Sequence, residues 1–269
     1  MLQMQSQTET ALERFDWLSV TFLLGGVLLC YYLLPLLSLV FSQPPGAVLE
    51  RVTGPEVVSA ATTSLTTSAT SAAIATLFGL PLSYWIARAD GKVKTGVTAV
   101  VILPLVLPPV VSGMVLLTVV GPNTFLGELA SANGVRLTRS AAGIVLAQTF
   151  VSSPFVVITA KAAFESVDRS LEYASQSLGK SRLTTFRRVT LPLAWPGILA
   201  GITLAFARAI GEFGATIMLA YYPRTMPVQI WVSFTTLGLE NAFPVAIILV
   251  GIAVATLVIV NVLGTNPLG

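Results

Sequence analysis

Six apolar runs, each roughly 25 residues long, leave this chain few folds to choose from. They occupy residues 17–41, 59–87, 96–120, 140–164, 195–222 and 241–264. A helix rises 1.5 Å per residue, so each run can cross the roughly 30 Å hydrocarbon core of a bilayer. In lipid the backbone must satisfy its own hydrogen bonds, which a helix does within one segment. The expected fold is therefore all-α, a polytopic membrane protein of six transmembrane helices.

The charge content agrees. Only 10% of residues are Asp, Glu, Lys or Arg, against about 25% in soluble domains. The mean hydropathy is +0.83 and the pI about 9.2. The positive residues gather in a few loops, so the basic pI does not point to nucleic acid. There is no histidine, and the one cysteine, Cys30, lies inside an apolar run. Histidine triads, the usual zinc sites and an internal disulfide are excluded. No G-x-x-x-x-G-K-[ST] loop occurs either. The chain is expected to be no enzyme, with no catalytic or metal-binding residue and no cofactor of its own, and any work it does must be driven from elsewhere.

Residues 1–16, with Glu9, Glu13, Arg14 and Asp16, are expected to form an amphipathic lead-in along the membrane surface. The 17–41 run is longer than the apolar core of a signal peptide, about 7–15 residues, and is expected to be retained. A Pro/Gly loop over 42–56 follows. In Ser59–Ser71, nine of thirteen residues are Ser or Thr. Because they run without a break into 72–87, they are expected to begin a helix that faces other helices, where hydroxyls can bond back or across. A basic turn spans 88–94. The next run holds Leu103–Met114, LPLVLPPVVSGM, with Pro104, Pro108 and Pro109. Broken helix inside a membrane is tolerated where it lines a path or packs on protein, so these prolines are candidate path-lining residues. Residues 121–139 are polar, with a short helix expected near 125–131. The run 140–164 is expected to break at Pro154. A last polar link runs from 223 through Glu240.

Six spans put both termini on one side. The N-terminal tail, the 88–94 turn and the 161–188 segment carry 1, 3 and 6 Lys and Arg, while the opposite loops hold Arg51, Arg136, Arg139 and Arg224. The positive-inside rule then places both termini and the 165–194 loop in the cytoplasm.

That loop contains LEYASQSLGKSRLTTFRRVTLPLAWP, Leu171–Pro196. Asp168 or Ser170 can cap a helix whose first turn holds Glu172. Tyr173, Ala174, Ser177 and Leu178 share a face, and Gly179 is a natural C-cap. A second short helix is expected from about 182 to 189, ended by Pro192 and Pro196. A short helix with a compact apolar face and a basic rim suits docking into a groove on another protein. The layout of Glu172, Ala174, Gly179, nine residues, Val189, a spacer and Leu191-Pro192 resembles the EAA loop of ABC importer permeases. Ser175 stands where the second alanine would be. Glu172 lies one position early, as in the oxyanion branch of that family. Gly79–Tyr84 with Ala87-Arg88 also resembles the family's second core helix, and Leu103–Met114 resembles its oxyanion members.

In the fifth run, Arg208 and Glu212 stand one turn apart, about 20 Å up the helix from Trp195. Ionisable groups at mid-membrane are costly and usually face the bundle interior. The i,i+4 spacing lets them pair, and Ala207, Gly211 and Gly214 permit close helix contact. They can serve as a structural pair or as a gate that draws an anion. The segment RAIGEFGATIML resembles the molybdate/tungstate branch, whereas sulfate relatives show an aromatic-Gly-Ser version after the glutamate.

The resemblance covers nearly the whole chain and implies a type I ABC importer permease fold in the cell membrane. It divides the chain into 1–58, holding the lead-in, first span and external loop, and a transmembrane core over 59–264 with its coupling loop at 165–194. It implies a homodimer, two cytoplasmic ABC ATPase subunits carrying ATP and Mg, and an extracytoplasmic oxyanion-binding protein. ATPase coupling would fall to Glu172, Ala174, Gly179, Arg187, Arg188, Val189, Leu191 and Pro192. The path would involve Arg208, Glu212, Gly211, Pro104, Pro108 and Pro109. The expected cargo is molybdate or tungstate, with sulfate or thiosulfate as the alternative. A stand-alone ion-coupled transporter is a different class, and Glu212 would be its only clear carboxylate.

Overall fold

The computed structural model describes residues 2–264. The chain divides after Val48 into an N-terminal unit and a core that begins at Leu49. The N-terminal unit is built on α1 (Leu2–Phe41), one unbroken helix that carries the expected lead-in and the first span together. None of its side chains from Trp17 onward is buried, as suits a helix solvated by lipid. The amphipathic face expected of residues 1–16 lies outside the described side chains.

The Pro/Gly loop is partly helical: α2 covers Pro45–Val52, and α3 (Pro55–Arg88) begins before the Ser/Thr stretch. Proline opens both helices, where its missing N–H costs nothing. The hydroxyl-rich stretch is helical as expected. Ser64, Thr67, Ser68 and Ser71 are buried against other helices. Thr62, Thr66 and Thr70 are exposed, and each donates to the carbonyl four residues back, which satisfies these hydroxyls where they face outward.

The third span is broken within its proline-rich stretch, as expected. It is α4 (Gly91–Val106) and α5 (Pro109–Val120), bent by 116° at the break. Leu107 and Pro108 are extended, with ψ of 134° and 135°. Each precedes a proline, whose ring disfavours helical backbone in the residue before it. Five described helices are long and apolar enough to cross a membrane, and the bent pair makes a sixth span if counted as one.

α6 (Phe125–Ala132) lies where expected, capped by the Thr124 hydroxyl. α7 (Ala141–Ser166) runs through Pro154 without ending there, a correction to the expected break. Next come α8 (Arg169–Ser177), α9 (Arg182–Thr185), a π turn over Phe186–Thr190, and α10 (Leu191–Ile210). Pro192 and Pro196 do not stop the helix: 182–210 is one continuous span. The wider π turn, in which Leu191 N–H reaches the Phe186 carbonyl, opens the backbone just ahead of Pro192, whose ring would crowd an α register. The fifth run then ends at Ile210 rather than at residue 222. α11 (Gly214–Leu219) and α12 (Met226–Leu237) fill what was expected to be span and polar link, and α13 (Leu239–Gly264) is the last span.

The core is layered around α7, which lies between α3 and α10 and touches both. Lipid supplies no hydrophobic drive between helices, so close approach of small residues takes its place. A Cβ on Gly197 would stand 2.6 Å from the Cβ of Ala163, and one on Gly201 3.0 Å from that of Thr159. These two glycines, one turn apart, let α10 lie directly on α7. Gly113 of α5 and Gly214 of α11 do the same for the two short helices, with 2.7 Å contacts to the Cβ atoms of Met218 and Pro109. Gln148 of α7 is fully buried; its amide nitrogen donates to Ser68 Oγ and the Ala209 carbonyl, and its oxygen accepts from Ser71 Oγ. One amide thus joins α3, α7 and α10.

Candidate functional site

Two polar centres flank α10. At its start stands the 165–194 loop. Asp168, rather than Ser170, caps α8: its carboxylate accepts from Ser170 N–H at 2.8 Å, which holds that carboxyl below its usual range. Gly179 has φ +79°. Its N–H bonds the Gln176 carbonyl and Lys180 N–H bonds that of Ser175, which is a Schellman ending. A Cβ at Gly179 would meet nothing within 4 Å, so glycine is needed there for backbone conformation alone.

The outward surface of the loop is apolar with basic edges. Leu171, Tyr173, Leu178 and Leu183 are exposed, Leu178 by 81%. Ala174, Arg187, Arg188 and Pro192 are exposed beside them, while Val189 and Leu191 are half-buried. Glu172 turns the other way. It is 7% exposed, and its Oε1 lies 2.5 Å from Arg88 Nη2 and accepts from Thr190 Oγ1 at 2.7 Å. Arg88 also donates to the Phe164 carbonyl at 3.0 Å and lies over the Tyr84 ring. Tyr84 packs edge to face on Phe164 and Phe186 beneath it, and those two rings are tilted on each other, with centroids 4.9–6.0 Å apart. The end of α3, the helix α8 and the π turn meet at this one carboxylate, and Arg88 ties in the end of α7.

At the other end of α10, Arg208 Nη1 lies 2.5 Å from Glu212 Oε2. The approach is charge contact without hydrogen-bond alignment, since that oxygen has no hydrogen-bond partner. Glu212 is 1% exposed, and its other oxygen accepts from Ala215 N–H at 2.8 Å, inside the first turn of α11. The carboxylate is thus held by the N-terminal end of a helix as well as by the arginine. The Arg208 side chain is 28% exposed, and Gly211 beside it is exposed. Pro109 packs against Gly214, two residues from Glu212, so Pro108 and Pro109 come near this pair. Pro104 does not. It lines a separate, mainly apolar cleft of about 270 Å³ between α3, α4 and α7, facing Ala75, Phe78 and Pro154.

Sequence reasoning missed Arg88 and Thr190 as partners of Glu172, and Gln148 as a hub. Gln148 carried a signal, as a lone amide in an apolar run. It also missed Ser175, whose hydroxyl bonds that of Thr185 at 3.0 Å and ties α8 to α9. The departure from alanine there is a link between helices.

Residues 79–265 match the family described as binding-protein-dependent transport system inner membrane component. A probable molybdenum ABC transporter permease protein of Haloferax volcanii is 59% identical over 251 residues, covering 93% of this chain and 92% of that protein. A molybdate/tungstate transport system permease protein of Pyrococcus furiosus is 38% identical over 250 residues, covering 92% and 95%. Among solved structures, a bacterial ABC transporter involved in the import of the acidic polysaccharide alginate superposes with a TM-score of 0.73 at 19% identity, covering 95% of this chain and 98% of that one. At that identity the likeness is one of fold.

Proposed function

The chain belongs to the binding-protein-dependent transport system inner membrane component family, and from that membership we propose that it is the membrane-spanning subunit of an ATP-binding-cassette importer for molybdate or tungstate. The observation that carries the cargo is the 59% identity to a probable molybdenum permease over nearly the full length of both chains. In this reading two copies form the path, and an extracytoplasmic oxyanion-binding protein delivers the anion. Two cytoplasmic ATPase subunits, which hold the ATP and Mg, dock on the outward face of α8. The gathering of Lys and Arg in the tail, the 88–94 turn and the 161–188 segment supports a cytoplasmic side for that face and for both termini.

The uncovered Tyr173, Leu178 and Leu183, rimmed by Arg182, Arg187 and Arg188, suit a groove with an acidic edge. Ala174 keeps the contact face of α8 flat, Gly179 ends it, and Val189, Leu191 and Pro192 seat the loop on α10. Glu172 acts from inside, by holding the loop in place. At the other end of α10, a divalent oxyanion crossing an apolar bundle needs positive potential on its route. Arg208 supplies it. Glu212 remains bonded to Ala215 N–H when the guanidinium swings toward the anion, and it recovers the arginine afterwards. Gly211, Pro108 and Pro109 leave room beside the pair, and Pro104 contributes through the bend it places in α4.

The test is uptake into proteoliposomes holding the permease, its ATPase and the binding protein, with molybdenum and tungsten read by mass spectrometry. ATP-dependent accumulation of either, unaffected by excess sulfate, is expected. Preferential sulfate uptake would make this a sulfate or thiosulfate permease. Uptake without the ATPase would make it an ion-coupled transporter.

A further inference from the structure

The buried face of the loop has as much structure as the exposed one. Glu172 and Ser175 stand three residues apart on α8 and therefore share a face. Their partners, Thr190 and Thr185, stand five apart in the following helix. In an α register five residues turn through about 500°, which leaves the two threonines about 140° apart. In the i→i+5 register of the π turn they come much closer to one face. Both are buried, while Arg187 and Arg188 between them are exposed. The π turn is thus what lets two hydroxyls grip α8 while the basic pair faces outward. The Glu172 end of this grip is fastened further to Arg88 of α3 and, through it, to the Phe164 carbonyl of α7.

We propose that Arg88, Glu172 and Thr190, seconded by Ser175 and Thr185, are positioning residues that transmit displacement of α8 into α10 and so to Arg208. The inference rests on the reading of the loop as the ATPase dock. A loop tied only by its backbone, through the residues 178–181, would give way when pushed. The two hydroxyl ties and the buried ion pair make α8 and the π turn one body, and α10 leaves that body without a break. Tyr84, Phe164 and Phe186 form the bearing on which it sits. Glu172 binds no nucleotide and touches no cargo in this scheme; it carries force.

The test uses the complete complex of permease, ATPase and binding protein in proteoliposomes. Thr190→Val keeps the shape and removes only the hydroxyl. ATPase co-purification and ATP hydrolysis are expected to persist, while oxyanion imported per ATP falls about tenfold, as loss of a hydrogen bond to a charged group allows. Thr190→Ser should restore the ratio, which a purely structural role does not predict once the complex has assembled. Ser175→Ala releases the weaker tie and replaces Thr190→Val should that variant not reach the membrane; a fall of about threefold is expected. An unchanged ratio of import to hydrolysis in the assembled variant overturns the proposal while leaving the docking intact. Failure of the ATPase to cross-link to the Leu178→Cys variant, otherwise unaltered, overturns the docking reading itself.

Discussion

Arg88 and Glu172 come from helices 84 residues apart in the chain and meet against a threonine, a backbone carbonyl and an aromatic ring. Arg208 and Glu212 come from successive turns at one helix end, and only the carboxylate has a second partner. The chemistry of the two pairs is the same and the distances are equal, yet their surroundings differ. In the first pair both charges are enclosed, at 17% and 10% side-chain exposure, and the guanidinium donates twice. In the second the carboxylate is enclosed while the guanidinium is partly open and poorly aligned. Two of the Arg88 nitrogens are engaged and only its Nε is not; in the reading proposed above that pair is a joint, and the half-open pair is a movable charge.

Removing one partner of the enclosed pair should have the largest effect. Glu172→Ala leaves Arg88 buried without its counter-charge, and breaking a buried pair typically costs about 3–5 kcal/mol. The variant should be recovered from membranes in low yield and melt well below the unaltered protein in detergent. Normal yield and melting would make the loop-end pair no tighter than the other. Next in size, Arg208→Met combined with Glu212→Gln removes both mid-span charges without leaving either alone. The double variant should assemble and hydrolyse ATP, yet import oxyanion roughly a hundredfold more slowly, the order seen when a preorganised charge is taken from a reacting anion. Near-normal import would reduce the second pair to packing and erase the contrast.

The smallest effect sharpens the comparison by touching the loop but neither pair. With φ at +79° and open space around it, Gly179→Ala should cost only about 1 kcal/mol of backbone strain, near fivefold in ATPase affinity by titration. Gly179→Asn, which tolerates that conformation, should stay close to the unaltered value. Equal losses for Ala and Asn would show that something other than backbone conformation is at stake.

Much of this was readable from local chemistry. The Ser/Thr stretch announced a helix with inward hydroxyls, and Gly179 announced the end of α8. The break at Leu107-Pro108-Pro109 was also written in the chain, because two successive residues each precede a proline, but the size of the bend was not. The mistake at Pro192 has a different cause. Proline rules assume an α register, and the π turn ahead of Pro192 suspends that assumption there; Pro196 sits within the α register of α10, and the π turn does not account for it. Glu172 could not be placed from sequence, since its inward turn depends on Arg88 and Thr190, one of which arrives from another helix. Pro104 was grouped with Pro108 and Pro109 by sequence proximity, and the 116° bend sends it to a different cleft.

The unbroken run of α10 also sets a phase. Arg208 stands eighteen residues beyond Thr190, which at 3.6 residues per turn is five whole turns and about 27 Å. The two side chains therefore leave the helix in the same compass direction, one at each end. A twist applied at Thr190 reappears at Arg208 with its sense and angle preserved, like the hands of two clocks on one shaft. Adding or deleting a single residue between them would swing the guanidinium by about 100°, with every contact at the loop end unchanged. In the transmission proposed above, the length of this helix matters as much as any side chain on it.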